Sequence, residues 1–355
     1  MSRAIVQQIV ESVLYEGYML YPYRPSVKNR QRWTFGGLFP RCFSEIHATG
    51  DAWTTQTECL VRGSEQTTLQ VEIRFLHPQV RIVRQLHDPL DELPALGEPA
   101  SRAVETLQLG ERWLQSWQEA EERILPLEML PLGSFLGQRR SNEFKFPVRR
   151  QVEPVQQNGK IVALVVREQQ PLVVTTELSV EPAAPGLFKL RLCIQNLTPL
   201  EDAGQMSREE AQMRSLVSTH AILGAQGGKF VSLIDPPDDC QAAAKSCRNV
   251  GTWPVLVGDE ARQDMVLSSP IILYDYPQVA PESPGNLFDG TEIDEILTLR
   301  VLTLTDEEKR LAAAVDERTR GLLERTEALA QDQLMRLHGT IRGLRPVRAE
   351  NAHND

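Results

Sequence analysis

Residues 144–197 constrain the fold most, because they consist of strand-forming runs separated by strong turn signals. Asn158-Gly159 is the dipeptide that most favours a two-residue hairpin turn, and it separates the run 148–157 from the run 160–167. Pro185-Gly186 separates 172–180 from 187–196 in the same way. Successive antiparallel strands at this spacing predict a β-sandwich or a strongly curved sheet.

The N-terminal third mixes helical and strand patterns. Residues 3–15 carry an apolar stripe of helical period, which predicts an N-terminal helix. Apolar residues then alternate with polar ones in 69–75, which predicts a half-buried strand. Around this strand the patterns predict a hairpin with 54–61 through Gly63-Ser64, a third strand after Pro78, a loop over 86–100 and a helix over about 101–124.

The remaining elements follow from capping and alternation. Ser207 with Glu210 forms a capping-box pattern, which predicts a short helix to about residue 216. A second such pattern at Thr305 predicts a long C-terminal helix. Further strands are predicted at 219–223, 230–234, 254–257, 271–274 and 296–304.

Together these patterns predict an α+β protein with a β-rich, sandwich-like centre, an N-terminal helix, a middle helix and a long C-terminal helix. The predicted divisions are an N-terminal α+β region over 1–135, a β-rich region over 136–304, and a C-terminal helix and tail over 305–355. The longest aliphatic run has six residues, Ile161 to Val166, so no membrane span is expected. Five cysteines without a CxxC pair, and no signal-peptide pattern, indicate reduced thiols in a cytoplasmic protein.

Candidate metal and catalytic patterns are weak. Cys240, Cys247 and His220 are soft or borderline metal ligands, but their spacing matches no common zinc motif. None of the six histidines lies in a catalytic signature, so no catalytic residue and no cofactor are assigned. The glycine-rich run 224–230 lacks the first glycine and the Ser/Thr of a phosphate-binding loop, and we interpret it as a glycine hairpin between two strands.

The charge distribution is more informative, because the two signs are separated along the chain. Residues 1–50 contain six basic and three acidic side chains. This part also carries tyrosines and a tryptophan among its arginines, a composition that suits protein recognition or nucleotide stacking. Nucleic acid is the weaker alternative, because the whole chain has a net charge of −10. The residues assigned to partner binding here are Tyr21, Tyr23, Arg24, Lys28, Arg30, Arg32 and Trp33.

Residues 275–308 form the acidic counterpart, with nine acidic side chains and Arg300 as their single basic one. The carboxylates assigned to partner binding are Asp275, Glu282, Asp289, Glu292 and Asp294. A surface complementary to a basic partner is the favoured interpretation, and a hard-metal or acid–base site is the alternative. The two charged stretches can also pack on each other, which would leave no binding surface.

Four stretches of the sequence carry a family resemblance. Residues 11–36 read ESVLYEGYMLYPYRPSVKNRQRWTFG, and residues 247–258 read CRNVGTWPVLVG. Residues 269–277 and 289–300 read SPIILYDYP and DGTEIDEILTLR. In these strings the chain resembles a bacterial protein family associated with gene clusters of actinobacterial-type, oxygen-tolerant nickel-iron hydrogenases.

The resemblance brings no catalytic residues with it. It implies an accessory role in the assembly, cofactor loading or docking of a hydrogenase, with hydrogenase subunits or maturation factors as partners. We therefore expect a non-catalytic binding or assembly protein. A metal-dependent enzyme or metal carrier, using Cys240, Cys247 and His220 or the carboxylates of 275–295, is the alternative.

Overall fold

A computed structural model describes residues 2–15, 36–48, 50–95, 97–110 and 112–277, together with Lys309, Arg320 and Glu324. The described chain is mostly β-strand with few helices, as expected for a β-rich α+β protein. The helices are α1 (Ser2–Tyr15), α2 (Arg41–His47), α3 (Arg208–Gln212) and α4 (Gln241–Lys245), with short 3-10 turns at Leu132–Phe135 and Asp238–Cys240. The strands are β1 (Thr54–Arg62), β2 (Thr68–Leu90), β3 (Ser101–Val104), β4 (Thr106–Leu109), β5 (Arg112–Gln115), β6 (Trp117–Pro126), β7 (Leu130–Pro131), β8 (Arg139–Phe146), β9 (Arg149–Gln157), β10 (Lys160–Gln169), β11 (Leu172–Ala184), β12 (Leu187–Asn196), β13 (Val217–Gln226), β14 (Lys229–Val231), β15 (Trp253–Leu256) and β16 (Met265–Ser269).

Two antiparallel sheets form the body of the described chain. Sheet 1 has the strand order β14-β1-β12-β11-β8. Sheet 2 has the order β15-β16-β13-β2-β10-β9, and the 23-residue strand β2 is its axis. The first half of β2 pairs with β13 and the second half with β10, while β7, β6 and β3 pair with its opposite edge. A separate β4–β5 ribbon completes the strands.

The main apolar core lies between the two sheets. Leu69, Val71, Ile73 and Phe75 of β2 face Val174, Leu190 and Leu192 of sheet 1 in one buried cluster. Because successive side chains of a strand point to opposite faces, these odd-numbered β2 residues define the inner face of sheet 2. The predicted sandwich-like centre is confirmed.

Helix α1 covers the outer face of sheet 2. Its Val6, Ile9, Val10 and Val13 are buried against Val255, Val257 and Leu267, which is the face that the helical stripe predicted. The predicted N-terminal helix is thus confirmed, and its packing explains why the segment is stable at 14 residues.

The two hairpins predicted within residues 144–197 are both present. Asn158 and Gly159 adopt positive φ angles of 52° and 77°, and the turn joins β9 to β10. Gly186 also has a positive φ, in the turn from β11 to β12. The two hairpins lie in different sheets, which is how four consecutive strands supply both layers. The capping box of Ser207 and Glu210 is confirmed at the start of α3.

The predicted middle helix over 101–124 is wrong. This segment forms β3 to β6, and β6 pairs with β2 from Glu72↔Pro126 to Arg81↔Trp117. Ten cross-strand pairs along the edge of a long buried strand outweigh the weak helical preference of this glutamate-rich segment.

Several other local predictions also need correction. Strands β1 and β2 do not form a hairpin, because β1 pairs with β12 and β14. Strand β2 continues through Pro78 to Leu90, so the predicted third strand is part of it and the loop begins later. The glycine run after β13 is no hairpin, since it carries the chain from sheet 2 to sheet 1. Residues 271–274 are not a strand, and β16 was not predicted.

In each of the two large sheets, strands of the predicted region 1–135 pair with strands of the predicted region 136–304. The predicted strand at 296–304 and the predicted helix from Thr305 lie outside the continuously described residues. In the part of the chain that the structure describes, no helix is long and apolar enough to cross a membrane.

Candidate functional site

The structure describes one of the two charged stretches only at its start. Asp275 is described, whereas the other acidic candidates, Glu282, Asp289, Glu292 and Asp294, lie outside the described residues. The basic and aromatic candidates from Tyr21 to Trp33 lie outside them as well. Asp275 is therefore the one assigned partner-binding residue whose surroundings the structure describes.

Hydrogen bonds of Asp275 hold the segment 271–277 at the edge of sheet 2. Its carboxylate accepts hydrogen bonds from the Leu256 amide at 2.8 Å and from Ser232 Oγ at 2.5 Å. The Tyr276 amide donates to the Leu256 carbonyl at 2.7 Å. Asp275 was predicted to face a partner, but its carboxylate oxygens are used within the fold, so it positions its neighbours.

Those neighbours present apolar side chains to solvent. Ile272 is 73% exposed and Tyr274 is 83% exposed, while Ile271 and Leu273 between them pack against the α1 cluster. Trp253 at the start of β15 and Ile234 in the turn after Ser232 are exposed as well. We call Ile234, Trp253, Ile272 and Tyr274 the β15 edge surface. These four residues lie on neighbouring backbone segments, and exposed apolar and aromatic side chains are typical of protein-binding surfaces.

The structure does not bring His220 together with the two predicted cysteine ligands. Cys240 and Cys247 pack with Leu60 and Leu187 on the outer side of sheet 1. His220 lies on the outer face of sheet 2, opposite Arg74, and its Nδ1 contacts the Ser218 carbonyl at 2.8 Å. Among the described residues, no group of three or more His, Cys, Asp or Glu side chains has a metal-binding arrangement.

Burial changes the ionisation of two of these side chains. It raises the pKa of the Cys247 thiol to about 11, with Glu58 adding to the effect, so the thiolate is scarce at neutral pH. Burial also lowers the pKa of His220 to about 4, although the hydrogen bond to the Ser218 carbonyl acts in the opposite direction. The Cys240 sulfur accepts a hydrogen bond from Arg62 at 3.1 Å.

Sequence reasoning missed a band of charged side chains on the inner face of sheet 2. We call it the charged belt, and it crosses β6, β2, β10 and β9 between the main core and a second apolar cluster beneath the β4–β5 ribbon. Its members are Arg81, Glu119, Glu121, Arg123, Arg149, Glu153 and Arg167, with His77, Gln79 and Gln169 among them. The signal was available in β2, because His77, Gln79 and Arg81 continue the same alternating face as Phe75.

Each arginine of the belt has a carboxylate partner. Glu119 accepts from Arg81 at 3.2 Å and from Arg167 at 3.0 Å, and Glu121 pairs with Arg123 and Arg149. The hydrogen bond from Arg167 lowers the pKa of Glu153. Burial lowers the pKa of His77 to about 3, and the charges of Arg123 and Arg149 act in the same direction. The belt thus ties four strands together by internal ion pairs.

A cleft of about 380 Å³ lies between α1 and the outer face of sheet 2, near the small end of the size range for ligand pockets. Arg74 lines it and donates to Glu72 at 2.6 Å and to Gln7 at 3.0 Å. At the rim Arg262 pairs with Asp264 at 2.6 Å. Its charges are matched in pairs, so the cleft offers no net charge to a ligand.

Comparison with known proteins adds no relative to this picture. No family model matches the chain, and no curated protein matches it either. The resemblance to the hydrogenase-associated family stays a prediction based on the four sequence strings.

Proposed function

We propose that this chain is a non-catalytic accessory protein that binds a protein partner through a surface that includes the β15 edge surface. The observation that carries the proposal is the exposure of Ile272 and Tyr274 on a segment held firmly by the fold. Large apolar side chains at an interface centre, above all Tyr and Trp, supply most of the binding free energy in many complexes.

The attachment of the segment supports this proposal physically. Ile271 and Leu273 pack inward, and Asp275 and Tyr276 hydrogen-bond to Leu256. The backbone that carries the exposed side chains is therefore already ordered, and binding pays less conformational entropy than it would for a loose loop.

The charge pattern and the resemblance suggest the partner class. Residues 275–308 begin within the same segment and carry most of the net negative charge of the chain. An acidic stretch next to apolar anchors favours a partner whose surface is basic around an apolar centre. The resemblance implies that this partner is a hydrogenase subunit or a maturation factor, acting during assembly or docking.

The test measures binding of the tagged chain to purified hydrogenase subunits and maturation factors, by biolayer interferometry. Ile272→Ser combined with Tyr274→Ser is expected to weaken the complex at least tenfold, about 1.4 kcal/mol or more. The matched control, Ile124→Ser with Met129→Ser, removes two other exposed apolar side chains and is expected to bind normally.

The outcomes separate the two parts of the proposal. If no subunit or maturation factor binds the wild-type chain, the assigned partner class is wrong. If the partner binds and the Ile272/Tyr274 variant binds as tightly as the control, the β15 edge surface is not the interface. In the same assay, Arg30→Glu with Arg32→Glu tests the predicted basic surface, since it is expected to weaken binding without unfolding the protein.

A further inference from the structure

Strand β8 forms one edge of sheet 1 and is unusually exposed. It pairs with β11 in unbroken register from Phe146↔Leu172 to Arg139↔Ser179, and no described strand pairs with its other side. Six of its eight residues are exposed. An edge strand of this length presents a row of backbone N–H and C=O groups that another strand can use.

Three other sheet edges in the described part of the chain are protected. Val250 exchanges backbone hydrogen bonds with Gln56 beside β1 at 2.9 and 3.0 Å. Strand β9 contains Pro154 and a register shift opposite Ile161 and Ala163, and the Leu256 backbone of β15 is taken by Asp275 and Tyr276. Strand β8 has neither a proline nor a bulge. The free side of β8 thus lacks each of these protections.

The charge around β8 is opposite to that of the whole chain. Residues 139–150 contain five basic side chains and one acidic one, a net charge of +4 in a chain of net charge −10. Lys145 pairs with Glu143 at 2.7 Å, and Arg149 and Arg150 pair with glutamates of sheet 2 and of the loop before β3. Arg139 has no ion-pair partner among the described residues, and Arg140 donates to the Ser134 carbonyl. Uncompensated positive charge therefore lies at the start of the edge.

This charge pattern selects against a second copy of the same edge. Antiparallel pairing of two β8 strands over their full length would place Arg140 of one opposite Lys145 of the other, and like charges in directly opposed positions are destabilising. A strand with alternating acidic residues would instead place negative side chains opposite these positive ones. The edge therefore discourages self-association while favouring an acidic strand.

We propose that β8 binds an acidic, extended segment of a protein partner, which adds to sheet 1 as a further strand along residues 139–146. Backbone hydrogen bonds supply affinity, and Arg139 and Arg140 select for acidic side chains. This inference rests on the proposed protein-binding function and adds the chemistry of one bound segment.

The test uses a fluorescein-labelled peptide of sequence Thr-Glu-Val-Glu-Val-Glu-Val-Thr and the full chain, followed by fluorescence anisotropy. Binding is expected at low salt and weakens as salt rises. Arg139→Glu with Arg140→Glu is expected to reduce the affinity about tenfold or more. The matched control, Arg102→Glu with Arg112→Glu, makes the same change in net charge at exposed positions away from β8 and is expected to leave the affinity unchanged.

Two further measurements separate strand addition from simple charge attraction. A peptide N-methylated at two adjacent residues, which blocks both of its edges, is expected to lose binding, and deuterium uptake of 139–146 is expected to fall when the unmodified peptide binds. The proposal is overturned if the acidic peptide does not bind, if the methylated peptide binds equally, if both double variants lose affinity alike, or if a DNA strand of equal charge protects β8 as well.

This experiment is independent of the hydrogenase assay. Peptide binding without any bound subunit or maturation factor would overturn the proposed partner class and leave the β8 inference intact. Subunit binding that depends on Tyr274 while the peptide fails to bind would overturn the β8 inference alone.

Discussion

Two buried histidines make the stability of this protein depend on pH in a defined direction. His77 and His220 have pKa values of about 3 and about 4, because burial disfavours their charged forms. The positive charges of Arg123 and Arg149 near His77, and of Arg74 near His220, act in the same direction. In the unfolded chain both imidazoles return to a pKa of roughly 6.5.

The sign follows from proton uptake. Below roughly pH 6.5 the unfolded chain binds a proton at each site, whereas the folded chain does not until the pH approaches its lower pKa values. Acidification therefore favours unfolding. Between about pH 7.5 and 5.5 each histidine removes roughly 1.4 kcal/mol of unfolding free energy, or about 3 kcal/mol for the pair. Glu153, whose pKa is lowered, titrates below this window.

The assay is urea unfolding at several pH values within that window. His77→Gln keeps a donor for the Gln170 carbonyl, and His220→Asn keeps a donor for the Ser218 carbonyl. Each variant is expected to lose about half of the pH dependence, because one of the two protons is no longer taken up. The matched control, His87→Gln, removes an exposed histidine.

A wild-type unfolding free energy that stays constant from about pH 7.5 to 5.5 would refute the reasoning. So would a His77→Gln or His220→Asn variant with the full wild-type pH dependence. Reduced stability of either variant at the upper pH does not affect this test, since the readout is the slope against pH.

Three further predictions concern stability, each measured by urea unfolding at neutral pH. Glu119→Gln removes the carboxylate shared by two arginines of the charged belt and is expected to cost about 3 kcal/mol. Gly228→Ala would place Cβ 2.7 Å from the Thr67 side chain and 2.9 Å from a backbone oxygen, which is expected to cost about 2 kcal/mol. Ser207→Ala removes the cap that accepts the Glu210 amide and is expected to cost about 1 kcal/mol.

Three local signals predicted the local structure of this chain correctly. Asn158-Gly159, the Ser207 capping box and the stripe of α1 are each specified within a few residues, and each is confirmed. Pairing between distant segments was not predictable in this way. The run 54–61 meets 187–195 instead of the strand that follows it, because the hydrophobic face of β1 is buried between the sheets.

The error over 101–124 has the same cause. Charged residues such as Glu119, Glu121 and Arg123 favour a solvated helix when the segment is considered alone. In the sheet, Glu119 gains arginine partners on β2 and β10, and Glu121 gains one on β9. A partner more than 40 residues away is invisible to a local window, so the helical interpretation was the natural one and was wrong.

The candidate site shows the same difference between what a local sequence pattern indicates and what depends on distant contacts. Composition identified the acidic stretch that begins at Asp275, but it suggested that the carboxylate itself faces a partner. In the structure that carboxylate holds Ser232 and Leu256, and the exposed groups are the apolar ones beside it. The sequence alone does not show which side chains of 271–274 are exposed. Once the position of α1 is known, Ile271 and Leu273 are seen to face the α1 cluster, which leaves Ile272 and Tyr274 exposed.

The sequence of β2 explains why the inner face of sheet 2 packs against two separate apolar clusters. Its inner face is apolar through Phe75, polar from His77 to Arg81, and apolar again at Val83. The main core ends at Phe146 of sheet 1, whose ring contacts His77 and Arg123, and the β4–β5 ribbon begins the second cluster. A continuous apolar face would let sheet 1 or the ribbon slide along β2 with little loss of burial. The charged belt removes that freedom, because either shift would bury paired arginines and glutamates against apolar side chains. The belt therefore sets the register of both layers, including the position of β8 at the edge of sheet 1.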